Sequence, residues 1–388
     1  MASHSSKFDS VVVIGGGFAG LTTAISLSQS KNRPPVILIE PRSRFVFSPL
    51  LYELLSEELK IWQLTLSYKS LLRERGILFI QEYVDHIDLD TRQVLTVSGL
   101  RVNYAYVVIA TGSAPYSSGI KGLGENAFTF HSLEDVSRLQ NRIHELKNDS
   151  NKIKNLVVIG AGATGVELAC KLFDLVDSKT QIHLFELGKK VLPNGKVFNQ
   201  RNAQYALIKR DIKVYLETKI LEISCDRVLY QSCKNGERRS SLLMHKGVIW
   251  TAGNRANTSN LLKDLFVKKG RILIDDYLHV IGLKDVLAIG DVASSVKNPY
   301  PANAQVAIQQ GKTAAKILMA LREGDRLQKF EFFDSGEMIS LGIANATIRV
   351  LGFKSSGPLA FLIRKMIYWF KLKSFSLVNL SVSASSKG

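Results

Sequence analysis

Cysteine is scarce in this sequence. The 388 residues hold three, Cys170, Cys225 and Cys233, and none lies in a C-x-x-C pair. Three are too few for a disulfide framework, and neither a dithiol redox centre nor a zinc knuckle has support. All three are expected to be packing or surface thiols. Long apolar runs are absent as well: no stretch reaches the roughly 18 apolar residues that a spanning helix needs. The opening residues, MASHSSKFDS, have no apolar core, so no signal peptide is expected. Acidic residues are missing altogether from Met338 to Gly388. In that stretch Arg349, Lys354, Arg364, Lys365, Lys371, Lys373 and Lys387 give a local charge of +7.

What is present describes a folded chain. Hydrophobic residues make up 46% and charged residues 22%, the balance of a globular protein long enough for two or three domains. The formal charge of +17 calls for an anionic partner: nucleic acid, an acidic membrane surface or a phosphorylated ligand.

Two segments repeat each other. FDSVVVIGGGFAGLTTAISLSQ followed by PPVILIE matches IKNLVVIGAGATGVELACKLF followed by QIHLFE. Each reads as a buried strand, a glycine turn, a helix and a second strand ending in Glu. Two copies of one β–α–β unit imply two nucleotide sites. Between them YAYVVIATGSAP is another strand and turn, and HSLEDVSRLQNRIHEL a helix capped by Ser132 with Asp135 in the box position. Further on come a strand in KGVIWTAGN, a strand in VLAIGDVAS and a helix in AQVAIQQGKTAAKILMALREG.

In the first unit Gly15 permits the tight turn, Gly17 lets the backbone approach a pyrophosphate, and Gly20 lets helix and strand pack closely. The helix N-terminus offers free N–H groups to the phosphates. Glu40 closes the next strand, where an acid binds ribose hydroxyls. Gly160, Gly162, Gly165 and Glu186 take the same places in the second unit. An acid at Glu186 favours the free 2′-hydroxyl of NADH over the phosphate of NADPH. Lys189 and Lys190 follow closely, so NADPH stays open. Two sites in series imply electron transfer between a flavin and a nicotinamide.

The set Gly15 to Gly20, Ala110-Thr111-Gly112, Gly160 to Gly165, Thr251-Ala252-Gly253 and Ala288-Ile289-Gly290-Asp291 resembles the two-dinucleotide flavin reductases over about residues 10 to 325. The resemblance implies that the first unit holds FAD, with Asp291 at its ribityl–pyrophosphate part, and that the second holds the nicotinamide nucleotide. Ala304-Gln305-Val306-Ala307-Ile308-Gln309-Gln310-Gly311 resembles the quinone-site signature of type II NAD(P)H:quinone oxidoreductases. Gln305 and Gln309 are four apart and share a helical face; an amide can serve both a quinone and a hydroquinone. A polar stripe on a surface helix is the alternative. By the same resemblance Glu167 sits by nicotinamide and flavin, and Pro49 near the isoalloxazine. Phe45-Val-Phe-Ser-Pro49-Leu-Leu-Tyr52-Glu53 looks most like the cyanobacterial and plastid branch that reduces demethylphylloquinone.

Leu359, Leu362, Ile363, Met366, Ile367 and Phe370 fall on one helical face by spacing, with Arg364, Lys365, Lys371 and Lys373 elsewhere and Tyr368 and Trp369 suited to an interface. Such a helix is expected to lie on an anionic leaflet; packing on the protein's own core or on a dimer partner is the alternative. The tail SFSLVNLSVSASSKG is a poor helix former.

The expected fold is α/β, with two Rossmann-like dinucleotide-binding domains of the glutathione-reductase-like kind and a C-terminal amphipathic segment. Residues 1–118 and 256–328 form the FAD domain, 119–255 the NAD(P)H domain, and 329–388 the membrane-associating segment. Hydride passes from NADH to FAD, and electrons pass from there to a membrane quinone, expected to be a demethylnaphthoquinone. No proton pumping, metal or nucleic acid is expected. The protein is expected on the cytoplasmic face of a plasma or thylakoid membrane, and the resemblance implies a homodimer. A soluble ferredoxin- or rubredoxin-type reductase is the second reading, and a flavoprotein that signals through its redox state the third.

Overall fold

Two parallel five-stranded sheets repeat one another. The first runs in the order Val286–Ala288, Tyr106–Ile109, Val11–Ile14, Val36–Ile39, Leu78–Ile80. The second runs Ala127–Phe128, Gly247–Trp250, Lys154–Ile159, Thr180–Phe185, Lys213–Tyr215. In each, the strand that leads into a glycine motif lies in the middle, and the acid-terminated strand lies beside it in parallel register. Val11–Ile14 and Gly247–Trp250 are buried throughout, as expected of parallel strands covered on both faces. The computed structural model describes residues 9–116, 119–149, 154–234, 237–258, 261–262, 267–268, 270–297 and 299–376. Residues 1–8 of the opening segment expected to lack a signal peptide, and residues 377–388 of the tail, lie outside the described residues.

The chain leaves the first unit along Ser113–Pro115 and returns along Asn254–Ala256, and these two strands pair antiparallel. The second unit is therefore an insertion whose two crossings lie side by side. The helix Leu133–Asn148 begins with the Ser132–Asp135 capping box, which supplies partners for otherwise open N–H groups.

After the return, the helix Ala304–Glu323 crosses the first-motif helix Phe18–Ser28 closely. A Cβ on Gly311 would lie 2.5 Å from the Ala19 carbonyl oxygen, and the Thr23 hydroxyl donates to the Gly311 carbonyl at 3.2 Å. The C-terminal segment is more than a helical tail. It contains an antiparallel sheet, Gly336–Ser340, Ala346–Val350 and Phe353–Gly357, and then the helix Pro358–Ser376. The sheet docks on the second unit, where Asn199 bonds Glu337 at 2.7 Å and Thr347 at 2.9 Å. The helix docks on the first, with Phe375 packed against Phe45 and Phe18.

Candidate active site

The two glycine turns are built alike. Gly15 and Gly160 have φ of +98° and +103°, a region that disfavours side chains. A Cβ on Gly20 would stand 1.9 Å from the Gly15 carbonyl oxygen, and one on Gly165 would stand 1.7 Å from that of Gly160. The acid that ends each second strand reaches back to its turn. Glu40 Oε2 accepts from Gly16 N–H at 2.7 Å, and Glu186 Oε2 accepts from Ala161 N–H at 2.7 Å.

Gly15, Gly17, Glu40, Thr111, Gly112, Gly290, Asp291 and Ala304 line a single groove along the first turn. At Gly17 nothing lies within 4 Å of a built Cβ, so its backbone faces open space at the start of an 11-residue helix. That is the cradle a pyrophosphate needs. Burial raises the Glu40 carboxyl pKa, but the fork of Arg42 at 2.7 and 3.0 Å and the Gly16 N–H outweigh it, and the net direction is down. Asp291 accepts from Ser113 at 2.8 Å, and Gly290 N–H donates to Gln310 at 2.6 Å. The groove fits FAD: a phosphate cradle at one end, a carboxylate for ribose beside it, and Asp291 further along.

At the second turn Gly162 caps the helix Ala163–Leu175, and Glu186 also accepts from Gly188 N–H at 2.7 Å. Lys189 and Lys190 are exposed. Gly253, with φ +90°, lies in the turn after Gly247–Trp250, as Thr111 and Gly112 do after Tyr106–Ile109. The residues present fit a nicotinamide dinucleotide.

A second cavity joins the FAD groove through Phe18, Ser48, His131, Asn303 and Ala304, which line both. From there it reaches Pro49, Tyr52, Thr164 and Glu167, then Gln305, then Arg364, Tyr368 and Lys371 of the C-terminal helix. The segment from Pro49 to Glu58 is the hub of this region. Pro49 carbonyl accepts from Arg364 at 3.0 Å, and Glu53 pairs with Arg364. Leu54 carbonyl accepts from Gln140 at 3.0 Å, and Glu58 pairs with Lys171 at 2.5 Å. The Tyr52 hydroxyl faces Glu167. All three parts of the chain thus meet on ten residues.

Glu167 is buried. Its Oε1 accepts from Ser340 N–H at 2.7 Å and lies 3.7 Å from Arg364. Burial dominates and pushes the carboxyl up to about 7, against the opposing pull of Arg364, the Ser340 N–H and the Tyr52 hydroxyl. A carboxyl with that value exchanges its proton near neutral pH. For Arg364, burial works against the charge, but Tyr368, Glu53 and Glu167 together hold it above the ordinary arginine value.

The glutamines stand otherwise than expected. Gln305 lines the cavity, yet its amide donates to Gly336 carbonyl at 2.8 Å and accepts from Ser335 N–H at 2.9 Å. Gln309 does the same with Phe333, at 2.8 and 2.9 Å. Both amides are committed to the segment that leads into the C-terminal sheet, and Gln305, through Gly336, holds part of the cavity wall. Gln310, passed over in the sequence, holds Gly290.

Two expectations for the C-terminal helix are corrected. Arg364 does not lie on a solvent or membrane face; its side chain is 1% exposed. Its carboxylate partner is 311 positions away, beyond any local pattern. Tyr368 is turned inward, its ring 5.5 Å from that of Phe47. Leu359, Leu362, Met366, Trp369 and Phe370 are each more than half exposed, while Ile363 and Ile367 are half-buried. The helix is both packed on the core and apolar on its outer side. Sequence reading missed Tyr52 and Glu53 as site residues, although it singled out their segment.

Comparison with known proteins follows the same lines. The family profile described as pyridine nucleotide-disulphide oxidoreductase matches residues 9–311. The chain is 31% identical to demethylphylloquinone reductase NdbB of Synechocystis, over 94% of this chain and 92% of that one. It is 27% identical to type II NADH:quinone oxidoreductase of Staphylococcus aureus, over 92% and 93%. The fold matches the structure of NDH2 from Plasmodium falciparum in complex with NADH with a TM-score of 0.84, at 17% identity, over 96% and 95% of the two chains.

Proposed function

The chain belongs to the pyridine nucleotide-disulphide oxidoreductase family and is a flavin-dependent NAD(P)H:quinone oxidoreductase, and within that activity we propose that it uses NADH to reduce a membrane demethylnaphthoquinone such as demethylphylloquinone. The observation that carries this reading is the continuity of the FAD groove with the cavity that runs from Glu167 to the C-terminal helix. FAD held in this groove would supply two-electron chemistry between a nicotinamide and a poorer hydride acceptor. The chain's own residues bind, orient and exclude water. Glu186 selects the 2′-hydroxyl of NADH. Glu167, with a proton affinity near neutrality, holds or releases a proton at the junction of the two sites. Gln305 fixes part of the wall on which the acceptor rests, Gln309 anchors the segment next to it, and Pro49 and Ala304 border the flavin.

The exposed stripe Leu359, Leu362, Met366, Trp369 and Phe370 is flanked by Lys365 and Lys373. No described helix is long and apolar enough to cross a membrane. Such a face suits a helix that lies in the interface of an anionic leaflet, where the quinone dissolves. The test is an acceptor panel on the FAD-loaded protein. Oxidation of NADH and NADPH is followed with a naphthoquinone in vesicles, with a small acidic electron-carrier protein, and with neither. Turnover with the protein carrier but none with quinone would overturn the reading.

A further inference from the structure

The far end of the cavity holds a cation that nothing described so far uses. Lys371 lies on the same helical face as Arg364 and Tyr368, seven and three residues before it, and all three line the cavity wall. Phe18, Phe47 and Ile308 line it with them. Other charged groups around this cavity are already engaged. Arg364 pairs with Glu53 and faces Glu167. Glu167 accepts from Ser340, and Glu337 accepts from Asn199 and from Lys196 N–H. Lys371 has no ion-pair partner among the described residues. Burial alone acts on its ammonium, and it lowers the proton affinity below the ordinary lysine value. A half-buried cation without a carboxylate is a cost to the fold, and a ligand oxygen would offset it.

The chemistry of the wall identifies the oxygen. Phe18, Phe47, Tyr368 and Ile308 present aromatic and aliphatic surface suited to a flat apolar ring, and Lys371 lines the same cavity. A planar dione fits both: its ring lies on the side chains and one carbonyl oxygen meets the charge. We propose that Lys371 is the carbonyl-binding residue of the quinone subsite. It donates a charge-assisted hydrogen bond to one quinone oxygen and favours ligands that carry negative charge there. The inference rests on the quinone-reductase reading and deepens it. It also places the acceptor's polar end on the C-terminal helix, and not on the committed amides of Gln305 and Gln309.

The test uses the oxidised, FAD-loaded protein without NADH. Equilibrium binding of 2-hydroxy-1,4-naphthoquinone, an anion at neutral pH, is compared with that of its 2-methoxy ether. Binding is read from the flavin absorbance change or from tryptophan quenching. The wild type is expected to bind the anion more tightly than the ether. Lys371→Met is expected to weaken the anion about tenfold or more, as for loss of a hydrogen bond to a charged group, and to change the ether far less. Lys371→Arg should restore most of the preference. A wild type that binds the ether as tightly as the anion overturns the proposal whether or not the variants fold. Equal weakening of both ligands in Lys371→Met also overturns it, because that pattern reports a damaged cavity. A wild type that reduces no quinone at all in the acceptor panel overturns the parent reading. A wild type that does so while Lys371→Met keeps full anion affinity overturns only this one.

Discussion

Arg364, on the C-terminal helix, forms an ion pair with Glu53 in which both side chains are 1% exposed. The pair joins the last of the described helices to a short helix near the start, and its guanidinium also reaches the Pro49 carbonyl and Glu167. A buried pair of this kind adds little net stability when compared with well-packed apolar side chains, yet breaking it leaves an uncompensated charge. Arg364→Met should therefore lower the unfolding free energy by about 3–5 kcal/mol, read as a drop in melting temperature. The double variant Arg364→Met, Glu53→Leu should recover much of that loss. A single variant as stable as the wild type would show that the pair does not hold the helix.

Glu167 makes stability depend on pH in a particular direction. Its folded pKa, about 7, is raised above the ordinary value of 4.5, so the folded state binds the proton more tightly. Stability from this group is fully present below the unfolded pKa and is lost as pH rises through the folded one. Wild type and Glu167→Gln should differ least in melting temperature near pH 5, and the wild type should fall relative to the variant by pH 8. The groups that face the carboxyl are Tyr52, Ser340, Arg364 and Glu53. A difference that stays constant across this range would show that burial does not set the proton affinity of Glu167.

On the proposed reading, Glu186 sets the choice of nucleotide. Its two carboxylate oxygens accept separately from Ala161 N–H and Gly188 N–H, and an amide oxygen can keep one of these bonds. Glu186→Gln should therefore lose one hydrogen bond at the turn, read as a small drop in melting temperature, and remove the charge that repels a 2′-phosphate. The ratio of kcat/KM for NADPH to that for NADH should rise by about tenfold or more, the scale of one lost ionic repulsion in a partly solvated site. An unchanged ratio would assign the choice to Lys189, Lys190 or another feature.

The outer face of the C-terminal helix can be tested without touching its inner face. Leu362→Glu together with Met366→Glu places two acids in the exposed stripe, where both residues are more than half exposed. Co-sedimentation with anionic vesicles should fall sharply, while reduction of a short-chain, water-soluble naphthoquinone should persist. Undiminished sedimentation would place membrane contact elsewhere on the molecule.

The repeated units were legible because their signals are local. Strand, glycine turn, helix and terminal acid fall within about thirty residues, and Gly15 with Glu40 predicts Gly160 with Glu186. The C-terminal helix was half legible. Spacing revealed an apolar stripe and a cation-bearing remainder, and a cation in such a helix is ordinarily exposed. Burial of Arg364 depends on distant partners, Glu53, Glu167 and the Pro49 carbonyl. The glutamine helix fails for a related reason. Spacing puts Gln305 and Gln309 on one face, but whether that face meets a ligand or a backbone strand depends on residues 333–336, which carry no recognisable pattern of their own. The hub at Pro49 to Glu58 was visible as a motif and silent as a junction, because each of its partners comes from a different part of the chain.

On the proposed reading, electrons pass from NADH through bound FAD to a quinone. Mixed with NADH in the absence of oxygen, the FAD-loaded protein should lose its yellow flavin absorbance, and a demethylnaphthoquinone then added should restore it at a rate that matches steady-state turnover. A flavin that NADH reduces but the quinone fails to reoxidise would contradict the account.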